Sequence, residues 1–255
     1  MILQEQHLNI FPKIFKTRLL SMSIYLTEFI GTAILITLGN GVVANVVLDK
    51  TKGYSSGWIV ITFGWAIAVF VAVFTATKLG GGAHLNPAIT IAFAAAGKTG
   101  WELLPSYIAG QITGAAFGSL LVYISYYEHY KVTENLDLKM ATFCTSPAIR
   151  KYQMNFLSEM IGTLILVIAA FYMAAPQSSL GALDALPAGL VVLSIGLSLG
   201  GTTGYAINPA RDLGPRILHA ILPMKKRDSD WAYAWVPIAG PIVGALLATL
   251  IFLYL

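Results

Sequence analysis

The first stretch that decides the fold reads Gly80-Gly81-Gly82-Ala83-His84-Leu85-Asn86-Pro87-Ala88-Ile89-Thr90-Ile91-Ala92-Phe93-Ala94-Ala95-Ala96-Gly97-Lys98. Its partner reads Gly204-Tyr205-Ala206-Ile207-Asn208-Pro209-Ala210-Arg211-Asp212-Leu213-Gly214-Pro215-Arg216-Ile217-Leu218-His219. In each, Asn followed by Pro predicts a helix start. Asn accepts backbone N–H bonds as N-cap, and Pro at the first helical position loses no bond it would have made. The apolar part of the first stretch is about half a membrane span. Within the second, Pro215 predicts a bend or an early end.

Outward from these stretches the chain is strongly apolar. Of 255 residues, 56% are hydrophobic and 11% charged, against roughly 25% charged in an ordinary soluble domain. A soluble globular protein, a disordered chain and a coiled coil are excluded. A net charge of +4 spread over such a chain forms no basic stripe, so no nucleic-acid partner is expected. The single cysteine, Cys144, cannot form an intrachain disulfide.

Six runs nearly free of charge have about the length that spans a bilayer. They cover residues 24–48, broken only by Glu28, then 57–77, 103–127, 156–175, broken only by Glu159, 185–203 and 231–255. Stretches such as 60–73 are apolar on every side, which fits helices and not the alternation of transmembrane strands. Trp58, Trp101, Tyr126, Tyr127, Tyr152, Trp231 and Trp235 sit at run ends as interfacial anchors. Residues 1–23 carry Lys13, Lys16 and Arg18 without a cleavable apolar core and read as a cytoplasmic tail. With that tail inside, Lys50, Lys52, Lys131, Lys139, Arg150, Lys151, Lys225, Lys226 and Arg227 fall outside, so the bias of basic loops opposes this orientation.

An internal repeat joins the pieces. Thr27-Glu28-Phe29-Ile30-Gly31-Thr32 recurs as Ser158-Glu159-Met160-Ile161-Gly162-Thr163, and Asn86-Pro87-Ala88 recurs as Asn208-Pro209-Ala210. One repeat covers about 24–127 and the other about 153–255, together forming one domain, 24–255. Each holds three spans and one half-helix, and an odd number of spans inverts the second copy. The expected fold is therefore an all-α membrane protein: six transmembrane helices plus two re-entrant half-helices in inverted repeats. Irregular backbone at membrane depth is tolerable only where it is buried or lines a water-filled passage, so the segments before Asn86 and Asn208 should line one.

Physical chemistry assigns expected roles to a few residues. Half-helices meeting at the midplane bring two N-termini together, each worth roughly +0.5 charge, which repels cations and protons. Each Asn side-chain oxygen is used in capping, which leaves its NH2 to donate to a passing oxygen. Arg211 lies three residues past Asn208, about one turn on, near the outer mouth. A charge at membrane depth is functional by default, the alternative being an Arg that snorkels while paired with Asp212. Glu28 and Glu159 fit either a proton-coupled secondary transporter or a structural role, accepting N–H bonds from the loop before each half-helix; the structural role is favoured. No metal-ligand spacing, nucleophile elbow or phosphate loop occurs, so no enzyme, metal or cofactor is expected.

The two Asn-Pro-Ala boxes and the paired Glu28 and Glu159 motifs resemble the aquaporin family (major intrinsic proteins), in particular its glycerol-facilitator or aquaglyceroporin branch. Asp212 directly after Arg211, and Pro237-Ile238 in the last run, resemble that branch. The resemblance extends from Tyr25 onward. It implies the aquaporin fold and a passive channel for glycerol, other small neutral solutes and water that excludes ions and protons. It further implies a homotetramer in the plasma (inner) membrane, multi-pass, with both termini cytoplasmic. By resemblance the selectivity filter is Arg211, Tyr205 and Trp65, with Phe63 as the fallback for Trp65, and Gly196 making room opposite the Arg. Asn86 and Asn208, each followed by its Pro87 or Pro209, form the central constriction. Backbone carbonyls of Gly82, Ala83, His84 and Leu85, and of Gly204, Tyr205, Ala206 and Ile207, form a ladder. The His84 side chain pins its loop and Asp212 orients loops. The loop 128–153 is silent.

Overall fold

The computed structural model describes residues 23–173, 178–224 and 226–255. The tail expected over 1–23, apart from Ser23, the last two residues of the run 156–175, and Lys225 lie outside the described residues. Among the described residues twelve elements follow one another, all helical. The long ones are α1 (Ile24–Val47), α2 (Trp58–Lys78), α4 (Leu104–Ser125), α7 (Tyr152–Tyr172), α8 (Leu186–Leu199) and α10 (Val236–Tyr254). Short 3-10 turns, Trp101–Leu103 and Gly181–Ala185, lead into α4 and α8. With these turns counted, six helices are long and apolar enough to cross a membrane. The half-helices are α3 (Pro87–Ala95) and α9 (Pro209–Ile221), and two short helices, α5 (Tyr127–Val132) and α6 (Leu136–Ala141), lie in the loop between α4 and α7.

Close backbone approach sets the packing. On α4 a side chain at Gly110, Gly114 or Gly118 would collide with the carbonyls of Tyr25, Phe29 or Ala33 on α1 at 2.4–2.5 Å. Gly240 and Gly244 do the same on α10, where a Cβ would stand 3.0 Å from the Phe156 carbonyl and 2.2 Å from that of Met160 on α7. Small residues every fourth position let helix backbones touch in lipid, where no hydrophobic gain drives association. The α1–α4 and α7–α10 pairs are accordingly the most extensive contacts in the molecule, with α2 against α8 between them.

Several boundaries differ from the sequence expectation; the fifth span, expected over 185–203, ends at Leu199. The fourth span starts at Tyr152, where Asn155 ties down the chain leading into it, accepting from the Lys151 N–H at 3.0 Å and donating to the Ile149 carbonyl at 3.1 Å. The last span starts at Val236, with Pro237 in its first turn. The second half-helix does not end at Pro215 but continues to Ile221. Pro215 removes one bond, to the Arg211 carbonyl, while the Asp212–Arg216 ion pair at 2.7 Å bridges that turn. Gly214 also presses against the α4 backbone there, where a Cβ would stand 2.6 Å from the Ile112 carbonyl.

Candidate functional site

Both asparagines cap as their sequence context requires. Asn86 Oδ1 accepts from the Ala88 N–H at 2.9 Å; Asn208 Oδ1 accepts from Ala210 and Arg211 at 3.0 and 3.3 Å. Their amide nitrogens cross over. Asn86 Nδ2 donates to the Ile207 carbonyl at 2.8 Å, and Asn208 Nδ2 donates to the Leu85 carbonyl at 2.8 Å. The two half-helix N-termini are thus clasped to each other, and each NH2 has one of its two hydrogens left over. The sequence expectation of two wholly free NH2 groups is corrected, because the carbonyl preceding the other asparagine claims one hydrogen of each.

Before each asparagine the backbone alternates in hand. Ala83 and Leu85 have φ of 51° and 52°, and Tyr205 and Ile207 have 38° and 43°. A left-handed L-residue costs roughly 1–2 kcal/mol. Two buried carboxylates offset that cost. Glu28 accepts from the His84 and Leu85 N–H groups at 2.9 and 2.7 Å, and Glu159 from Ala206 and Ile207 at 3.0 and 2.8 Å. Each takes a third donor from a side chain, Gln111 Nε2 at 2.8 Å on Glu28 and Thr203 Oγ1 at 2.6 Å on Glu159. With these N–H groups turned to the carboxylates, no donor among the described residues reaches the carbonyls of Gly82, Ala83, His84, Gly204, Tyr205 or Ala206. Leu85 and Ile207 differ from the expected ladder, since the asparagine clasp occupies one lone pair of each.

A cavity of about 310 Å³ runs past this backbone. Its wall includes both asparagines, Gly82 to Leu85, and Tyr205 to Ile207. Aliphatic side chains complete it, among them Leu35, Val69, Val73, Leu166, Val191 and Val192. Trp65, Val69 and Val73 recur every four residues on one face of α2, so the cavity follows that helix for about 12 Å. The lining thus combines aliphatic side chains with backbone acceptors.

At one end stand Trp65, Tyr205 and Arg211 together. The Arg211 guanidinium lies 4.4 Å over the Trp65 ring, a cation–π contact, and donates to the Phe143 carbonyl at 3.3 Å. Phe63, the fallback, points outward at 56% exposure, whereas Trp65 is 5% exposed. Gly196 is off the wall of the cavity. A Cβ on it would meet Tyr205 Cζ at 2.8 Å, so the space it leaves is filled by the Tyr205 ring and not by the lumen. Gly204 is also off the wall, its N–H bonded to the Gly200 carbonyl at 2.9 Å. Trp58, expected only as an anchor, donates its indole N–H to the Gly196 carbonyl at 3.0 Å and packs edge-on against Tyr205. The Tyr205 hydroxyl is buried without a hydrogen-bond partner. His84 is pinned: its Nδ1 meets Thr90 Oγ1 at 3.2 Å and its ring stacks on Tyr107 at 4.3 Å.

The counter-ion of Asp212 is Arg216, and not Arg211. Arg216, wholly buried, reaches Asp212 Oδ1 at 2.7 Å and Oδ2 at 3.0 Å, and donates to the Thr145 and Ser229 carbonyls. Asp212 Oδ2 also accepts from the Thr145 N–H and Oγ1, each at 2.8 Å. Arg216 is thus a further charge at membrane depth that sequence reasoning passed over; its spacing of one helical turn from Asp212 is the signal that could have found it. Thr145 and Phe143 come from the silent loop, which folds back onto the Arg211 end. Cys144 between them is buried beside Asp212, and burial pushes its thiol up to about 12.

Comparison with known proteins agrees with this geometry. The family model described as "Major intrinsic protein" matches residues 16–252. The chain is 54% identical over 235 residues to a probable glycerol uptake facilitator protein of Thermotoga maritima, covering 92% of this chain and 100% of that one. It is 54% identical over 226 residues to the glycerol uptake facilitator protein of Streptococcus pneumoniae strain R6, covering 88% of this chain and 96% of that one. The X-ray structure of the aquaglyceroporin from Plasmodium falciparum superposes with a TM-score of 0.77 at 33% identity, over 89% of this chain and 93% of the other. Six spans, two clasped half-helices and these likenesses lead to one conclusion: the chain is a multi-pass membrane protein and belongs to the major intrinsic protein family.

Proposed function

We propose that the protein is a passive channel for glycerol and other small neutral solutes, with water, and that it catalyses no reaction. The observation that carries this is a cavity lined both by unpartnered backbone carbonyls and by aliphatic side chains. Carbonyls inside a protein are normally paired, so the five that line the cavity, those of Gly82, Ala83, His84, Tyr205 and Ala206, are open to hydroxyl or water donors, while the aliphatic side chains suit a carbon backbone. Trp65, Tyr205 and Arg211 are the selectivity filter, with the guanidinium donating to hydroxyl oxygens and repelling cations. Asn86 and Asn208 each offer one N–H to a passing oxygen at the centre, where two helix N-termini oppose positive charge. The alternative, proton coupling through Glu28 or Glu159, is disfavoured because neither lines the cavity and each is filled by three donors. The two repeats, about 24–127 and 153–255, are the halves of one channel domain, placed in the plasma membrane with both termini cytoplasmic and assembled as a homotetramer.

Stopped-flow measurements on proteoliposomes test this with glycerol, urea, water and a charged control. Glycerol flux driven by its own gradient, with no flux of the charged solute, is expected. Uptake that stops when a proton gradient is collapsed would overturn the channel in favour of a transporter.

A further inference from the structure

Arg211 is held by two neighbours, the Trp65 ring 4.4 Å away and the Phe143 carbonyl at 3.3 Å. Both are themselves held by adjacent residues of α1 that do not line the cavity. A Cβ on Gly39 would stand 2.3 Å from Trp65 Cζ3 and 2.5 Å from Cε3 and Cη2. The six-membered ring therefore fills the space that any side chain at position 39 would take. Asn40, fully buried, donates Nδ2 to the Phe143 carbonyl at 3.2 Å. Turned the other way, its oxygen would face that carbonyl oxygen, so the bond fixes the amide and the loop together. Phe143 has no other tie to α1 among the hydrogen bonds of the described residues.

The other half of the molecule lacks this pair. The spacing that carries Glu28 to Glu159 carries Gly39 to Ala170 and Asn40 to Phe171. The position matching Arg211 across the asparagine boxes is Ile89. The pair thus occurs only in the half whose span faces a guanidinium.

From this we infer that Gly39-Asn40 is the positioning element of the filter, an inference that rests on the proposed role of Arg211, Trp65 and Tyr205. Gly39 sets how far Trp65 withdraws from the passage. Asn40 fixes the loop carbonyl that draws the guanidinium to the wall. Together they set the width left for solute without touching it.

The test compares glycerol and water permeability of the full-length channel in liposomes for Gly39→Ala, Gly39→Ala/Trp65→Phe, Asn40→Leu and Arg211→Val. Gly39→Ala pushes the ring into the passage, and the glycerol-to-water ratio falls about fivefold, the scale of a local overpacking. Adding Trp65→Phe, with its smaller ring, returns the ratio to within about twofold. Asn40→Leu keeps the volume and loses the donor; the ratio falls about threefold, the weight of one hydrogen bond. This arm carries the test whether or not Gly39→Ala folds. Equal changes in both fluxes, unchanged fluxes, or no recovery with Trp65→Phe overturn the inference while Arg211→Val still alters the ratio. A ratio that Arg211→Val leaves unchanged overturns the filter itself.

Discussion

The half built on Asn86 and the half built on Asn208 share a frame and differ in what they hang on it. Both use a buried glutamate to hold two N–H groups, two left-handed residues before the asparagine, and a side-chain amide that reaches across to the other half. Counted from the asparagines, however, Ala83, Ile89, Thr90 and Ala94 in one half stand where Tyr205, Arg211, Asp212 and Arg216 stand in the other. Thr90 closes a small neutral network with Asn86, His84 and Gln111. Asp212 instead anchors an ionic one that recruits the loop after α6. Symmetry therefore supplies the shared frame, while these four positions distinguish the two ends of it.

Substitutions made in matched pairs would break or sharpen this contrast. The largest effect is expected from Arg216→Met, which leaves Asp212 as a buried unpaired carboxylate and costs about 3–5 kcal/mol. Its neutral counterpart, Thr90→Val, costs about 1–2 kcal/mol; thermal unfolding in detergent checks both, and equal losses would contradict the contrast. Asn86→Ala and Asn208→Ala each remove a cap and a cross-bond and should cost the same, about 2 kcal/mol. A difference above about 1 kcal/mol would show that the frame is not shared.

Arg211→Val should raise cation leak by about tenfold or more, since one membrane-depth charge is removed from the path. Ile89→Val, its matched partner, should leave solute and ion fluxes within about twofold; a comparable change there would show that the filter is not confined to one end. The smallest effect belongs to Tyr205→Phe. The ring still fills the notch at Gly196 while a buried, unpartnered hydroxyl is lost, so stability should rise by up to about 1 kcal/mol with little change in glycerol flux. A marked loss of flux would mean that the hydroxyl, and not the ring, does the sorting.

Much of this was legible in the sequence because it is local. The caps at Asn86 and Asn208, the length of each apolar run and the recurrence of Glu28 as Glu159 follow from neighbouring residues or from period. What escaped depends on distance along the chain. Phe143 and Thr145 reach Arg211 and Asp212 only after the loop 128–153 folds back, 67 or 68 residues away in sequence. Gln111 meets Glu28 across 83 residues. The room that the sequence leaves at Gly196 is taken up by the Tyr205 ring, which only packing shows. Pro215 is a partial case: of the bend or early end that the local rule allows, the early end does not occur, and the helix runs on to Ile221.

The asparagine clasp also bears on how the molecule is made. Its two bonds join residues 121 and 123 positions apart, and contacts of such separation form late because the intervening chain must first be ordered. During synthesis the first half leaves the ribosome with Asn86 Nδ2 unable to find Ile207 and the Leu85 carbonyl unable to find Asn208. The left-handed turns before Asn86 are at that stage braced only from within the first half, by Glu28 and by the contacts of His84 with Thr90 and Tyr107. The cavity is likewise incomplete in a half-made chain, because Tyr205 to Asn208 and Arg211 form part of its wall.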